Sequence, residues 1–437
     1  MLESIRKYFA FERSGTNFSR EIVAGLTTFV TMSYIIVVNP AVLKVAGIPA
    51  GPSMVATILI CMFGCLLMGI YARRPFAIGP YMGENAFIAY TVVQVLGFTW
   101  QQALGAVFIA GIIFVLMTVF RLRQFLVDAV PQGLRYSFAV GIGLFLTFIG
   151  LNQTGIVMLG VAGAPVRTGA LTSTPVLVAI FGFLLMTALV IRRFPGAILV
   201  SIIVTAFLAY AVGIAEAPKQ WVSMPPSIMP ILFQFDLRGA LSWAFFPVVL
   251  TIFIMAFVDT MGTLIGLSAR AGFLDEKGNL PQIERPMLAD AISTTAAAAI
   301  GTTTSGAYVE SATGIEAGGR TGFASVVTAA CFALALFFSP FASAIPQQAY
   351  GPALIMVGSF MLAPVARLRF DDMTEIVPAF VVIALMIFTY NIGVGITAGF
   401  VLYPLCKLIS GRVREVKPGL WVLALLSLAF FIFYPYS

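Results

Sequence analysis

The chain has 437 residues, 60% of them hydrophobic and only 10% charged, and its mean hydropathy is +1.01. That much apolar surface excludes a soluble globule, which needs a polar exterior, and the length prior of two or three soluble domains does not apply to a membrane bundle. There is no histidine, which removes Ser-His-Asp and Cys-His catalysis, His-built zinc sites and any histidine proton relay, so proton handling falls to carboxylates.

Runs near twenty apolar residues, the length that crosses a hydrocarbon core of about 30 Å, recur along the chain. Taken in order, the predicted spans of a first half are 21–40, 53–71, 76–97, 101–120, 133–152, 175–192 and 197–214. The stretch 215–242, rich in Pro and carrying Trp221, separates them from a second half at 243–268, 286–301, 303–317, 320–341, 350–366, 376–391 and 393–410. The last apolar run, Leu420 to Tyr434, reads either as a fifteenth span or as a surface helix. The first run lacks a small-residue cleavage site and opens a long series, so it is expected to be retained as a span.

The net charge of +7 invites a nucleic-acid reading, but its distribution argues for a membrane. With a cytoplasmic N-terminus, alternate connections hold Arg6, Lys7, Arg13, Arg20, the pairs Arg73/Arg74 and Arg192/Arg193, and Arg121, Arg123 and Arg135. They continue with Arg270, Lys277, Arg285, Arg320, Arg367, Arg369, Lys407, Arg412, Arg414 and Lys417, which makes 21 of the 25 basic residues. Only Lys44, Arg167, Lys219 and Arg238 fall outside. The positive-inside rule therefore predicts a multi-pass protein of the cell's inner membrane, embedded in lipid, with its N-terminus in the cytoplasm and no nucleic-acid partner.

Fourteen segments in two groups of seven predict an inverted repeat, 1–214 against 243–437 with 215–242 as linker, because an odd count inverts the second copy. Faint internal echoes agree: Phe29-Val30-Thr31 with Phe257-Val258-Asp259, and Tyr81-Met82-Gly83-Glu84-Asn85-Ala86 with Tyr308-Val309-Glu310-Ser311-Ala312. The third and tenth segments are poor continuous helices. Pro75 and Pro80 flank Phe76-Ala77-Ile78-Gly79, and Gly301-Thr302-Thr303-Thr304-Ser305-Gly306 precedes a helical stretch near Tyr308. Such runs favour extended backbone, tolerated at membrane depth only around a protein-lined cavity, so two half-helices are expected to aim their N-termini at the midplane.

Five acids lie in or at apolar segments: Glu84, Asp259, Asp290, Glu310 and Glu316. An intramembrane acid is a functional candidate by default, against the reading of a hydrogen-bonded structural acid. Asp259, with Gly262 and Gly266 leaving room beside it, and Glu310, just past the Thr run, are favoured as functional, and Glu84 is even between the two. Asp290 is expected to cap its helix or anchor the interface, and Glu316 to form an ion pair with Arg320. Asn85 is an amide donor and acceptor, while Tyr34, Tyr81, Phe87 and Tyr308 supply a stacking wall or plain packing. Thr31, the counterpart of Asp259 in the first echo, joins the candidate site. Cys61, Cys65, Cys331 and Cys406 read as small apolar residues, with no metal site or cofactor implied. Gly314 to Gly322 lacks the spacing of a phosphate loop, and Gly141 and Gly143 allow close helix contact.

Several ordered motifs spread over nearly the whole chain resemble those of AzgA-like adenine/guanine/hypoxanthine permeases, within the nucleobase–ascorbate (nucleobase–cation symporter) superfamily. They are Glu21 to Tyr34 with Val38-Asn39-Pro40, and Pro75-Phe76-Ala77 with Met82-Gly83 and Asn85-Ala86-Phe87. To these are added Asp259 to Leu264, and Glu310 to Gly314 with Gly318 to Gly322. The resemblance implies an all-α membrane fold of the uracil-permease kind, with short strands in segments 3 and 10. It further implies a core domain of spans 1–4 and 8–11, a gate domain of spans 5–7 and 12–14, elevator-type alternating access, proton symport and often a homodimer. It carries Asn85, Asp259 and Glu310 over as substrate residues. Because the chain has no histidine, the coupled proton is expected on a buried carboxylate, Glu310 or Asp259 first and Glu84 as the third candidate. Ala256 replaces a common acid, while Glu84, Glu316 and Tyr81 depart from the pattern, which leaves the particular purine open. The chemistry suits a purine, whose edge N–H groups meet carboxylates while ring nitrogens accept from an amide or helix N–H groups. The alternatives are a sulfate-type anion carrier of the same architecture, a channel, and an intramembrane enzyme, for which no nucleophile with an activating base is present.

Overall fold

The computed structural model describes residues 2–120, 129–161, 164–276 and 280–434; Arg121, Arg123 and Lys277, of the charge set expected on the cytoplasmic side, lie outside them. Among the described residues, nine helical stretches are long and apolar enough to cross a membrane, and three shorter apolar helices accompany them. Large apolar side chains such as Leu184, Ile191, Phe380, Phe388 and Ile432 point outward, as lipid-facing helices require.

The first span comprises α1 (Phe18–Met32) and α2 (Ile35–Val45), joined by a tight turn at Ser33–Tyr34 where the Ile36 and Val37 amides bond only three residues back. Asn17 caps α1 by accepting from the Arg20 amide. Glu21, wholly buried, reaches α12 (Gly322–Ala335). Its carboxylate accepts from the amides of Arg320, Thr321 and Ala324 and from the Thr321 hydroxyl, saturating that helix's N-terminus. α3 (Ala50–Leu66) continues through a wider π-helical turn to Ala72, and α5 (Trp100–Val119) starts at a Thr99/Gln102 capping box.

Third and tenth segments are interrupted, as expected. Strand β1 (Ile78–Pro80) leads into α4 (Met82–Ala86) and a π-helical continuation to Val95, and β4 (Ser305–Ala307) leads into α11 (Ser311–Glu316). The two strands pair antiparallel, Ile78 with Ala307, Gly79 with Gly306 and Pro80 with Ser305. Their outer edges are served by neighbouring helices in matching fashion. Cys65 of α3 bonds both the N–H and the C=O of Ile78, and Thr294 of α10 (Glu284–Ile300) bonds both groups of Ser305. No backbone group of those two residues is left dry, which is the condition for extended chain at this depth. Cys65 is thus a hydrogen-bonding residue as well as a small apolar one.

The remaining helices are α6 (Gln132–Gln153), α7 (Thr174–Ile191), α8 (Ala197–Ala211), α9 (Phe246–Ala271), α13 (Gln347–Phe360), α14 (Met373–Phe388), α15 (Ile392–Ile409) and α16 (Pro418–Phe433). α1 packs on α11 and α12, and α5 packs on α9 and α10. α6 lies against α13 and α14, and α13 lies also against α7 and α8. A Cβ on Gly143 would meet the Gly358 carbonyl at 2.8 Å and one on Gly150 the Gly351 carbonyl at 2.9 Å, so the α6–α13 contact is the close approach that the glycines permit. Between α6 and α7 lies an unforeseen hairpin, β2 (Val157–Val161) with β3 (Ala164–Thr168). α16 runs antiparallel alongside α15, its far end tied where Asn391 donates to the Tyr434 hydroxyl at 2.8 Å.

At the other end of α15, fully buried Lys407 meets Glu375 at 2.8 Å, Glu415 at 3.0 Å and Asp372 at 3.9 Å, and Arg412 closes the network onto Asp372 and Glu415. The Thr374 hydroxyl and Arg412 hold the Asp372 carboxyl below its usual range, and Arg412 with Lys407 holds Glu415 down to about 2. Carboxyls so depressed favour the fold above their ordinary titration range, and that contribution is lost as pH falls toward about 2. Lys407→Met leaves three acids facing one another without their buried cation. Thermal unfolding is expected to show a loss of about 3–5 kcal/mol.

Candidate functional site

Three elements converge at the strand pair: α9, the α4 half-helix and the α11 half-helix. Asp259 sits on α9 and Glu310 at the N-cap of α11, and both are partly accessible. Val309, next to Glu310 and more exposed than either acid, is 60% accessible and marks an opening in the protein. Gly262 and Gly266 follow Asp259 on the same helix face, and a Cβ on either would meet nothing within 4 Å. The open face of α9 therefore continues from Asp259 toward Arg270, whose guanidinium pairs with Glu316 at 2.7 Å. Glu316 is thus the partner of Arg270 and not of Arg320. The Arg320 guanidinium instead serves the carbonyls of Ile315 and Gly319 at the end of α11, where cations suit exposed C=O groups.

Of the eight candidate residues, Asp259, Glu310 and Thr31 keep accessible surface; Glu84, Asn85, Tyr81, Phe87 and Tyr308 are buried. Glu310 accepts from the Tyr34 hydroxyl at 2.8 Å, a donor that the turn after α1 delivers. Thr31 bonds Thr313 across the α1–α11 contact at 3.0 Å. No side-chain hydrogen bond to Asp259 is found among the described residues, and it keeps accessible surface.

The enclosed residues form the frame behind this opening. Asn85 donates to Asn39 of α2, which donates in turn to Thr57 at 2.8 Å and Thr302 at 3.1 Å. That chain links three helices to the strand region; Asn39 and Thr302 had no assigned role in the sequence, although an Asn before Pro inside an apolar span signals a buried polar contact. The two tyrosines cross over in a reciprocal clasp. Tyr308 covers Gly79 and gives its hydroxyl to the Pro80 carbonyl; Tyr81 covers Gly306, donates its hydroxyl to Asp290 and shares a hydrogen bond with the Thr260 hydroxyl. Asp290 consequently does not cap α10. It lies in the body of the helix, fully buried, because Tyr81 draws it into the frame. Among the described residues no group of three or more His, Cys, Asp or Glu is placed to hold a metal ion.

Residues 19–400 match the Permease family. The adenine permease AdeP of Escherichia coli (strain K12) is 39% identical over 98% of this chain and 96% of its own. The guanine/hypoxanthine permease PbuG of Bacillus subtilis (strain 168) is 38% identical over 98% of this chain and 100% of its own. In fold, the chain is similar to the transmembrane domain of the cyanobacterial bicarbonate transporter BicA, with a TM-score of 0.63 at 15% identity over 88% of this chain and 97% of that one. A multi-pass helical membrane protein with an open acidic site, related along its whole length to such carriers, is a transport protein and not an enzyme: the chain belongs to the Permease family.

Proposed function

We propose that the protein imports purine nucleobases by proton symport across the inner membrane, with its N-terminus in the cytoplasm. The observation that carries the reading is the pair of partly accessible acids on neighbouring elements, Asp259 on α9 with no side-chain partner among the described residues and Glu310 at the start of α11, held by Tyr34. Carboxylates there accept from purine N–H groups, and the relatives' names, adenine and guanine/hypoxanthine permeases, point the same way. Asn85, Glu84, Tyr81, Phe87, Tyr308 and Thr31 shape the site from behind and beside it.

The strand pair, the Asn39–Asn85 link and the tyrosine clasp bind the site's elements to one another, which suits a core domain of spans 1–4 and 8–11 moving as one body. The glycine-faced α6–α13 contact suits a gate domain of spans 5–7 and 12–14, against which the core moves as an elevator. The matching roles of Cys65 and Thr294, and of Tyr81 and Tyr308, support two inverted seven-span repeats in 1–214 and 243–437, joined through 215–242. A homodimer is part of the same reading.

The test is uptake of radiolabelled adenine, guanine, hypoxanthine, xanthine and uracil into proteoliposomes, with and without an inward proton gradient. At least one purine is expected to accumulate only with the gradient. Uptake of bicarbonate or sulfate in place of every purine overturns the reading. Tyr34→Phe removes one donor from Glu310, and uptake at limiting purine is expected to fall by about tenfold, the worth of a hydrogen bond to a charged group. Retention of native uptake would show that Glu310 needs no such support.

A further inference from the structure

The buried acids of this protein fall into two kinds. Glu21 is saturated by amide and hydroxyl donors, and Asp372 and Glu375 are paired with Lys407 or Arg412. Glu84 is different. It is wholly buried, and apart from its own backbone N–H no donor among the described residues reaches either carboxyl oxygen. The charged groups that act on it are themselves acids, Asp259 of α9 first and then Asp290 of α10. Tyr81 and Tyr308, the other titratable neighbours, bring neutral hydroxyls already committed to Thr260, Asp290 and the Pro80 carbonyl. Asp290 shares the condition in part, since its Oδ1 also has no partner.

A structural acid is recognised by its donors, and Glu84 has none beyond its own backbone N–H. An ionised carboxylate enclosed without a donor or a cation is strongly disfavoured, so the cluster is stable when Glu84 carries a proton and penalised when it does not. Resting on the transport reading above, we propose that Glu84, with Asp290 behind it, is a dedicated proton-binding site separate from the substrate acid Glu310. In this proposal Asp259 connects the two: it keeps accessible surface and comes first among the acids that act on Glu84. A proton from the cavity lands on the Asp259 carboxylate and passes to the Glu84 carboxylate, which becomes the neutral acid; the same steps in reverse release it on the other side. Filling Glu84 leaves Asp259 free to ionise beside a purine N–H, so proton and purine favour one another.

The test uses the full chain in lipid, in native form and as Glu84→Gln and Glu310→Gln. Infrared spectra without purine are expected to show the carbonyl stretch of a protonated carboxyl lacking hydrogen bonds. That band is lost in Glu84→Gln and kept in Glu310→Gln. Binding of adenine, guanine or hypoxanthine at a pH where that band has begun to fade, followed with a pH-sensitive dye, takes up protons in the native protein, with affinity shifting by up to about tenfold per pH unit. Glu84→Gln removes both the proton uptake and the pH dependence, whereas Glu310→Gln weakens binding and keeps the uptake at saturating purine. Survival of the band or of proton uptake in Glu84→Gln overturns the proposal. Should Glu84→Gln fail to fold, carbon-13 glutamate labelling of Glu310→Gln decides, because the band must shift if Glu84 carries it. Should the native protein bind no purine, the transport reading fails while the band still decides the proton site.

Discussion

Asp259→Asn is expected to abolish uptake while leaving the folded protein at least as stable as the native one. The replacement keeps the size of the side chain and removes its charge. Since Asp259 is without a side-chain partner among the described residues, nothing in the resting fold depends on that charge. A purine edge loses a charge-assisted acceptor and meets an amide N–H in its place, so a donor faces a donor. One such bond is worth about 1.5–3 kcal/mol, a loss of roughly ten- to more than a hundredfold, before the mismatch is counted. Uptake in proteoliposomes and thermal unfolding of the same sample make the check. Native-level uptake would remove Asp259 from the site, and a collapse of the fold would make it a structural acid.

Gly306→Ala is expected to act through the fold and not through the ligand. A Cβ there falls inside the Tyr81 phenol, which cannot swing away without abandoning Thr260 and Asp290. Overpacking of a tight interior costs about 1–3 kcal/mol, and the strained strand pair lies against the site, so both melting temperature and uptake should fall. Pairing the change with Tyr81→Ala tests the cause. The two losses are expected to be less than additive, since Tyr81→Ala clears the space the new methyl needs. Additive losses would show that the clasp does not transmit the strain. Gly79 is the mirror position, where a Cβ would stand 3.2 Å from the Tyr308 ring, a milder contact with a milder expected effect.

How much of this was legible beforehand depended on whether a signal was local. The interrupted segments were readable because Pro75, Pro80 and the Thr302–Thr304 run spoil helices by themselves. Asp259 stood out because one acid in an apolar helix is costly wherever it points. Partners were not readable. Glu316 was matched with Arg320 through nearness in sequence, whereas Arg270, on another helix, is its neighbour in space. Asp290 resembled a cap because the start of its helix was placed too late, and its true partner, Tyr81, is remote in the chain. Enclosure was equally hidden: Asn85 and Glu84 adjoin each other and are both buried, yet one is bonded to Asn39 and the other has no donor but its own backbone.

The pairing of Ile78 with Ala307 also constrains how the chain can be made. When the chain up to residue 214 has entered the bilayer, β1 has no partner, and its backbone groups face a medium that cannot hydrate them. Nothing within the first half supplies the missing strand, so that half must wait, with water or the insertion machinery shielding the edge, until synthesis passes residue 307. Assembly is then a late, long-range event whose loop-closure cost is met before any contact offsets it. Two separately expressed halves, divided within 215–242, would each present the same unpaired edge and find in the other its only native remedy.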